Sequence, residues 1–545
     1  MKNLAIISTF LIILSAVQSS CTHEDLEETV KQPYSIIYAD DGETVLKVYS
    51  TSGKQAANLA PYFCASLEKE LAVLFAQKDD NGNLLYRKKD GSLYNIYKDD
   101  LRIYTTINPT MQNYAEKALQ RHLKEDLQPQ FDKNNASSEF FPFVKGTKMS
   151  TVDNSLNRAK KYSDRYEKLI RLGYSDKEIE NNFSTPVQMK VFSWNGEIDT
   201  ILSPNDSIRY YKSILRAGLL SIDPRTGYVK AWVGGVDFKH FPYDNVKQSK
   251  KQVGSTIYPF IYASALGMRV ITPCSEFQEE DYCIETFGPN NEPTGKPFCP
   301  RGKEAKNVKS GLAESSIRTT TAVLRRMGGY KPSAQTGGPF IVKSLLNKCD
   351  IHLIPEDVSP AMCSGVMDLS LYELVGGQSV FVNNGVYVRP TSILRIEDGN
   401  GNVIYNANLS SQEVLDSSSA HTTLNMMKGV VEFGTGASLR STRKWGGLHH
   451  PMAGKTGTTQ NSTDGWFMGL TPDLVTGVWV GSEDRDVHFR TMLWGQGARM
   501  ALPVYGYYMQ SIYADPKIKI SIKDFVPPNS YDSKSLECSG KLNKF

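Results

Sequence analysis

The chain opens, after its first thirty residues, with short runs in which apolar and polar positions alternate. Tyr34-Ser-Ile-Ile-Tyr38 and Val45-Leu-Lys-Val-Tyr49 carry the two-residue period of half-buried strands. Asn81-Gly82 and Asp90-Gly91 are hairpin dipeptides, because both residue types tolerate positive φ. The aspartates and asparagines at 79–83 form an incomplete calcium-loop pattern and are read as a turn. A strand is predicted at Leu101–Thr105 and a helix from Pro109 to Lys124. Polar, weakly patterned sequence fills 125–150, and charged helical stretches lie between Asn154 and Asn182. From Tyr210 the texture changes. Leu215–Ile222, the turn Asp223-Pro-Arg-Thr-Gly227 and Tyr228–Val233 predict a hairpin of a half-buried antiparallel sheet. Helical patterns run on to about Ser379, and another hairpin centres on Asp398-Gly-Asn-Gly401. Late in the chain, Gly465–Gly469 and Thr476–Val480 flank the turn at Thr471-Pro-Asp473. Strand pair, helices, strand pair is the order of an α+β sheet covered by helices. No repeat of fixed period occurs.

The first residues change the picture of where the chain resides. Lys2, an apolar run from Leu4 to Val17 and then Gln18-Ser-Ser-Cys21 describe a secretory signal. Fourteen apolar residues are too few for a spanning helix, which needs about 20. The first cysteine after the apolar run resembles a bacterial lipoprotein processing site, with Cys21 as the lipidated residue, although Gln18 stands where an aliphatic residue is usual. An uncleaved short anchor is the alternative. Either way the expectation is a periplasmic, membrane-anchored lipoprotein, inner or outer membrane unresolved. The remaining seven cysteines are Cys64, Cys274, Cys283, Cys299, Cys349, Cys363 and Cys538. In an exported chain they point to disulfides of undetermined pairing, with at least one thiol free. With 62 basic and 58 acidic side chains the net charge is +4, and no long basic block occurs. A nucleic-acid partner is therefore not expected, and neither a metal nor a cofactor is.

Three short elements carry candidate chemistry. Gly254-Ser255-Thr-Ile-Tyr258-Pro-Phe260 opens an apolar helical run, where a serine is either a simple N-cap or a nucleophile favoured by free N–H groups and the helix dipole. Position 258 lies one turn along, beside that hydroxyl. Ser316-Ile-Arg318 precedes another helical segment. Ala453-Gly-Lys455-Thr456-Gly457-Thr458-Thr459 precedes the last hairpin; on an edge strand, lysine and threonine can hold a carboxylate while glycine admits substrate backbone.

In this order the three elements resemble the S-x-x-K, S-x-N and K-T-G motifs of penicillin-binding proteins. Ser316 follows Ser255 by 61 residues and precedes Lys455 by 139. The segments Asp223–Gly235, Gln252–Ser255 with Pro259–Tyr262, Phe381–Pro390, Gly434-Thr-Gly436 and Gly454–Trp466 resemble landmarks of class A transpeptidase domains. Tyr104–Pro109 resembles the preceding segment, and Ser163–Tyr166 and Ser207–Tyr211 look like Bacteroidota versions. The resemblance implies an α+β penicillin-binding protein/serine β-lactamase-like fold: an antiparallel sheet flanked by helices, with an all-α subdomain and a smaller N-terminal α/β linker region. The expected organisation is a signal peptide at 1–20, an N-terminal region at 21–100 and a linker or pedestal at 101–212. A transpeptidase-like domain would follow at 213–515, with a tail at 516–545. The glycosyltransferase domain of class A enzymes is not expected, because about a hundred N-terminal residues cannot hold it and no E-D-x-x-F-x-x-H signature appears.

Two departures from the family pattern bear on mechanism. Tyr258 stands at the S-x-x-K lysine, and Arg318 at the S-x-N asparagine. A phenol with an ordinary pKa of about 10 is a poor base at neutral pH, and an arginine cannot accept a proton and is long enough to fill the cleft. The leading expectation is a catalytically impaired domain. It would bind peptidoglycan stem peptide through Lys455, Thr456, Gly457 and Thr458, or scaffold cell-envelope proteins; β-lactams are further expected ligands. The alternative is an active D,D-transpeptidase or carboxypeptidase with Ser255 as nucleophile and Tyr258 as base. In that reading Arg318 or Ser316 aids the proton shuttle, Arg318 and Lys455 together stabilise a tyrosinate, and the Ser255 and Thr458 amides form the oxyanion hole. A β-lactamase lacks a candidate deacylating glutamate, and motif relics in a fold kept for its surface are a further possibility.

Overall fold

The computed structural model describes residues 34–50, 59–287, 292–529, 531 and 536–538. Residues 1–20 and the expected lipidation site, Cys21, lie outside the described residues. In chain order the elements used below are strands β1 (Tyr34–Tyr38) and β2 (Val45–Ser50), helix α1 (Pro61–Phe75), and β3 (Leu101–Thr105). Next come the hairpin β4 (Arg216–Ile222) and β5 (Val229–Val233), then helices α2 (Tyr258–Gly267) and α3 (Ile317–Arg326). A second hairpin, β6 (Ile393–Asp398) and β7 (Val403–Asn406), precedes α4 (Ser417–Glu432). The chain continues with β8 (Ala453–Thr458), β9 (Asp464–Leu470), β10 (Val475–Gly481) and α5 (Leu502–Ala514).

The main sheet is antiparallel, in the order β8-β9-β10-β4-β5. Every residue of β9 and of β10 is buried, so this sheet is covered on both faces rather than half-exposed as the alternation in β5 predicted. Helix α5 and the helix Pro109–Arg121 pack on one side. Helices α2, α4 and Leu371–Val382 fill the other. Burial from both sides explains why β9 and β10 read as near-continuous apolar runs broken by glycines, since a two-sided environment removes the polar half of the period. Helix α2 is buried all round from Tyr258 to Ala265, the state expected of a helix with no polar stripe.

A second five-stranded sheet, β7-β6-β3-β1-β2, is assembled from three distant stretches. β1 pairs in parallel with β3, and β3 pairs antiparallel with β6. The hairpin at Asp398–Gly401, placed by sequence within the 213–515 unit, therefore belongs with the N-terminal strands. Local turn chemistry determines that β6 and β7 pair with each other, but not which sheet edge they join. In sequence between β3 and β4 lie three short helices, Met149–Lys161, Asp164–Arg171 and Asp176–Ser184. Helix Pro109–Arg121 continues as π-helix to Leu127 and then as α-helix through Gln128–Asn135, segments the polar composition there concealed.

Disulfides join Cys274 to Cys538 and Cys283 to Cys299. Cys64, Cys349 and Cys363 are buried thiols.

Candidate active site

Ser255 lies in a single 3-10 turn, Gly254–Ile257, that feeds directly into α2. It is not the helix cap; its side chain makes no capping hydrogen bond, and Pro259 sits in the first helical turn. The turn is pressed between two chain segments. Gly254 has φ +54°, its amide donates to the Gly365 carbonyl at 3.0 Å, and a Cβ there would meet the Thr458 carbonyl oxygen at 2.8 Å. A Cβ on Gly457 would meet Thr256 Cγ2 at 2.7 Å. Two glycines therefore let the edge strand β8 close on the serine-bearing turn.

That approach brings Lys455 to Ser255. Lys455 Nζ donates to Ser315 Oγ at 2.8 Å, to the Thr456 carbonyl at 2.9 Å and to Ser255 Oγ at 3.3 Å. Ser255 Oγ donates to the Thr456 carbonyl at 3.0 Å. Lys455 is fully buried, and no carboxylate pairs with it among the described residues. Burial without a counter-ion disfavours the ammonium and lowers its pKa to about 7. Ser255 thus has a neighbouring amine whose pKa burial brings down toward neutrality.

Tyr258 occupies the position one turn after Ser255, is only 3% exposed, and makes no hydrogen bond to Ser255 among the described residues. Its ring centroid lies 5.1 Å from Lys455 Nζ, a cation–π distance. Burial raises the phenol well above its ordinary pKa, and the neighbouring Cys363 and Tyr262 push the same way. A tyrosinate is therefore disfavoured here.

The second motif sits one residue earlier than the sequence indicated. Ser315, at φ +60°, turns its hydroxyl to Lys455, whereas Ser316 caps α3 by accepting from the Thr319 amide and donates to the Lys303 carbonyl. Counted from Ser315, the third position is Ile317, half-buried against the core. Arg318 is not beside Lys455. Its guanidinium is bound by Glu279 at 2.7 Å and Glu304 at 3.0 Å and lies over the Tyr282 ring at 4.2 Å. These partners flank the loop stapled by Cys283–Cys299. The expected pair of cations, and the tyrosinate they would stabilise, are corrected accordingly. A left-handed residue immediately before a helix shifts which side chain faces inward, and two adjacent serines hide that shift in sequence.

The remaining binding residues line the strand. Thr456 Oγ1 shares a hydrogen bond with Thr435 Oγ1 at 2.7 Å, which ties the Gly434-Thr-Gly436 segment to the site. Thr458, at the strand end, accepts from the Gly497 amide at 2.9 Å and is partly open. No group of histidines, cysteines and carboxylates able to hold a metal ion occurs among the described residues.

Comparison with known proteins agrees with this geometry. Residues 139–215 match the penicillin-binding protein middle domain, and residues 217–483 match the penicillin-binding protein transpeptidase domain. Penicillin-binding protein 1A of Aquifex aeolicus is 28% identical over 436 residues, 76% of this chain and 54% of that protein. Its Rickettsia bellii counterpart is 24% identical over 560 residues, 94% of this chain and 63% of the relative. The chain thus spans about half to under two-thirds of the length of these curated relatives. Among solved structures, penicillin-binding protein 1A of Haemophilus influenzae superposes with a TM-score of 0.55 at 19% identity, covering 87% of this chain and 73% of the other. PonA1 of Mycobacterium tuberculosis gives 0.56 at 17%, covering 89% and 100%. A K-T-G strand closing on a serine turn, an antiparallel sheet between helical layers and two contiguous domain matches identify a penicillin-binding protein transpeptidase domain carried behind a penicillin-binding protein middle domain.

Proposed function

We propose that this chain is an exported, lipid-anchored periplasmic protein whose transpeptidase domain holds peptidoglycan stem peptides and transfers acyl groups poorly or not at all. One observation carries the reading: the S-x-x-K lysine position holds Tyr258, a buried phenol kept neutral. Family transpeptidases use that lysine to take the serine proton, and losing one member of a cooperative catalytic unit costs orders of magnitude in rate. The S-x-N asparagine position holds Ile317, which offers no amide to a substrate. Lys455, Thr456 and Thr458 remain to hold a terminal carboxylate. Class A ancestry and the cell-envelope partners belong to the same proposal.

A second reading is favoured by the Lys455–Ser255 distance of 3.3 Å. With its pKa near 7, Lys455 can take the serine proton itself, and the Ser255 and Thr458 amides can receive the oxyanion. The product would be slow acylation of Ser255 by stem peptide or penicillin. Intact-mass analysis after excess benzylpenicillin, beside Ser255→Ala, separates the two readings. No adduct in a folded sample leaves peptide binding; a penicilloyl mass lost in Ser255→Ala establishes Ser255 as a nucleophile. Failure to bind a D-Ala-D-Ala pentapeptide or sacculi would overturn the binding proposal.

A further inference from the structure

A groove lies away from Ser255 and Lys455, neither of which lines it. It has a cavity volume of about 1020 Å³ and runs between α1 and the segment that joins Leu371–Val382 to β6. Ligand pockets typically reach about 300–1,000 Å³, so the space suits an extended ligand of several rings. One wall, α1, precedes both matched domains.

Its lining is mixed in a specific way. Phe238, Tyr372 and Tyr405 are half-buried and line the groove. Phe238 is held edge-on against Tyr62 at 5.0 Å, and Tyr372 is fixed by its hydroxyl on the Pro390 carbonyl at 2.8 Å. Rigid aromatic faces supply apolar contact at low entropic cost. Glu70, on α1, lines the same space with its side chain 33% exposed, and Lys247 lies 3.9 Å from it. Burial raises its carboxyl pKa, against Lys247 and a hydrogen bond with Ser392 that both lower it. Lys247 in turn lies over the Tyr372 ring at 4.7 Å.

Charge decides the ligand class. Arg389 is neutralised by Asp350 at 2.9 Å, and Lys247 faces Glu70. Lys69 also lines the groove, but Asp244 and Glu373 join Glu70 and Asp350 there, so four carboxylates face three basic side chains and a phosphate or nucleotide gains little net attraction. A lipid tail is disfavoured by the carboxylates and by the amide groups of Gln77 and Asn408. A neutral oligosaccharide fits both halves of the lining: pyranose C–H faces lie on the Phe238 and Tyr405 rings, and hydroxyl or acetamido groups exchange hydrogen bonds with carboxylate and amide.

We infer that the α1 groove is a binding site for a neutral oligosaccharide chain, distinct from the Ser255 site, so that the protein holds glycan and stem peptide on separate surfaces. The test is calorimetric titration of the whole chain with chitotetraose, a β-1,4-linked N-acetylglucosamine tetramer. The expected result is saturable binding that Phe238→Ala and Glu70→Gln each weaken at least tenfold, while Ser255→Ala leaves it unchanged. Thermal melts establish that each variant is folded, and the near-isosteric Glu70→Gln keeps the test decisive if Phe238→Ala does not fold. Absence of saturable binding by the folded chain, or equal affinity in the folded groove variants, would overturn the inference. Neither outcome depends on whether Ser255 binds or acylates.

Discussion

The pH dependence of Ser255 acylation distinguishes the bases available to it. If Lys455 takes the serine proton, only its neutral form is competent, because the ammonium has no lone pair. A pKa of about 7 gives a neutral fraction of about 1% at pH 5, about half at pH 7 and about 91% at pH 8. The second-order rate constant for penicilloylation should therefore rise close to tenfold per pH unit from 5 to 6.5 and level off above 8. The whole gain is about ninety-fold. A Tyr258 base would behave differently, since burial lifts the phenol well above its ordinary value. Its profile would keep rising through pH 9 with no plateau. The assay is intact-mass quantification of adduct against time at fixed benzylpenicillin, from pH 5 to 9, with Ser255→Ala and Lys455→Arg beside the native chain. An inflection near 7 that disappears in Lys455→Arg supports the Lys455–Ser255 dyad. A flat profile, or one still climbing at pH 9, refutes it, and no adduct at any pH leaves peptide binding alone.

Three further predictions follow from the same geometry. Because burial depresses the Lys455 pKa from 10.5 to about 7, the unfolded chain binds the extra proton between those values and stability rises with pH across that window. The cost of the buried amine should fall from about 5 kcal/mol at pH 6 to about 2 kcal/mol at pH 9, so chemical denaturation should show the advantage of Lys455→Met shrinking by about 2–3 kcal/mol over that range. Tyr258→Lys with Ile317→Asn should speed adduct formation, whereas Tyr258→Lys with Arg318→Asn should match Tyr258→Lys alone, because Arg318 binds Glu279 and Glu304 rather than the cleft; equal rates for the two double variants would refute the register set by Ser315. Removing the Cys283–Cys299 bridge, which spans 16 residues, should lower unfolding stability by about 3 kcal/mol, read as a drop in the urea midpoint.

Much of the fold was legible because its signals are local. The period-two runs at 216–233, the turn at Thr471-Pro-Asp473 and the uninterrupted apolar helix after Ser255 are each set by neighbours in sequence, and the structure has β4, β5, β9, β10 and α2 at those places. Harder to see were Gln128–Asn135, whose polar surface masks a helix, and the membership of β6 and β7, which depends on a pairing with β3 nearly three hundred residues away. At the site, the serine turn and the Lys455 strand stood out by motif. Ser315 did not, because adjacent serines are equivalent until the backbone conformation of each is known.

The amino-acid order alone determined which chemical groups exist: a serine before a helix, a tyrosine one turn on, and an intact Lys455-Thr456-Gly457. It determined nothing about their ionisation or their neighbours. Only the tertiary structure placed β8 within reach of the Ser255 turn, turned Ser315 inward at φ +60° and drew Arg318 to the flanks of the stapled loop. The physical reason is that a pKa and a hydrogen-bond partner are properties of a site's solvation and packing. A lysine becomes a candidate base at neutral pH only when long-range folding buries it without a carboxylate.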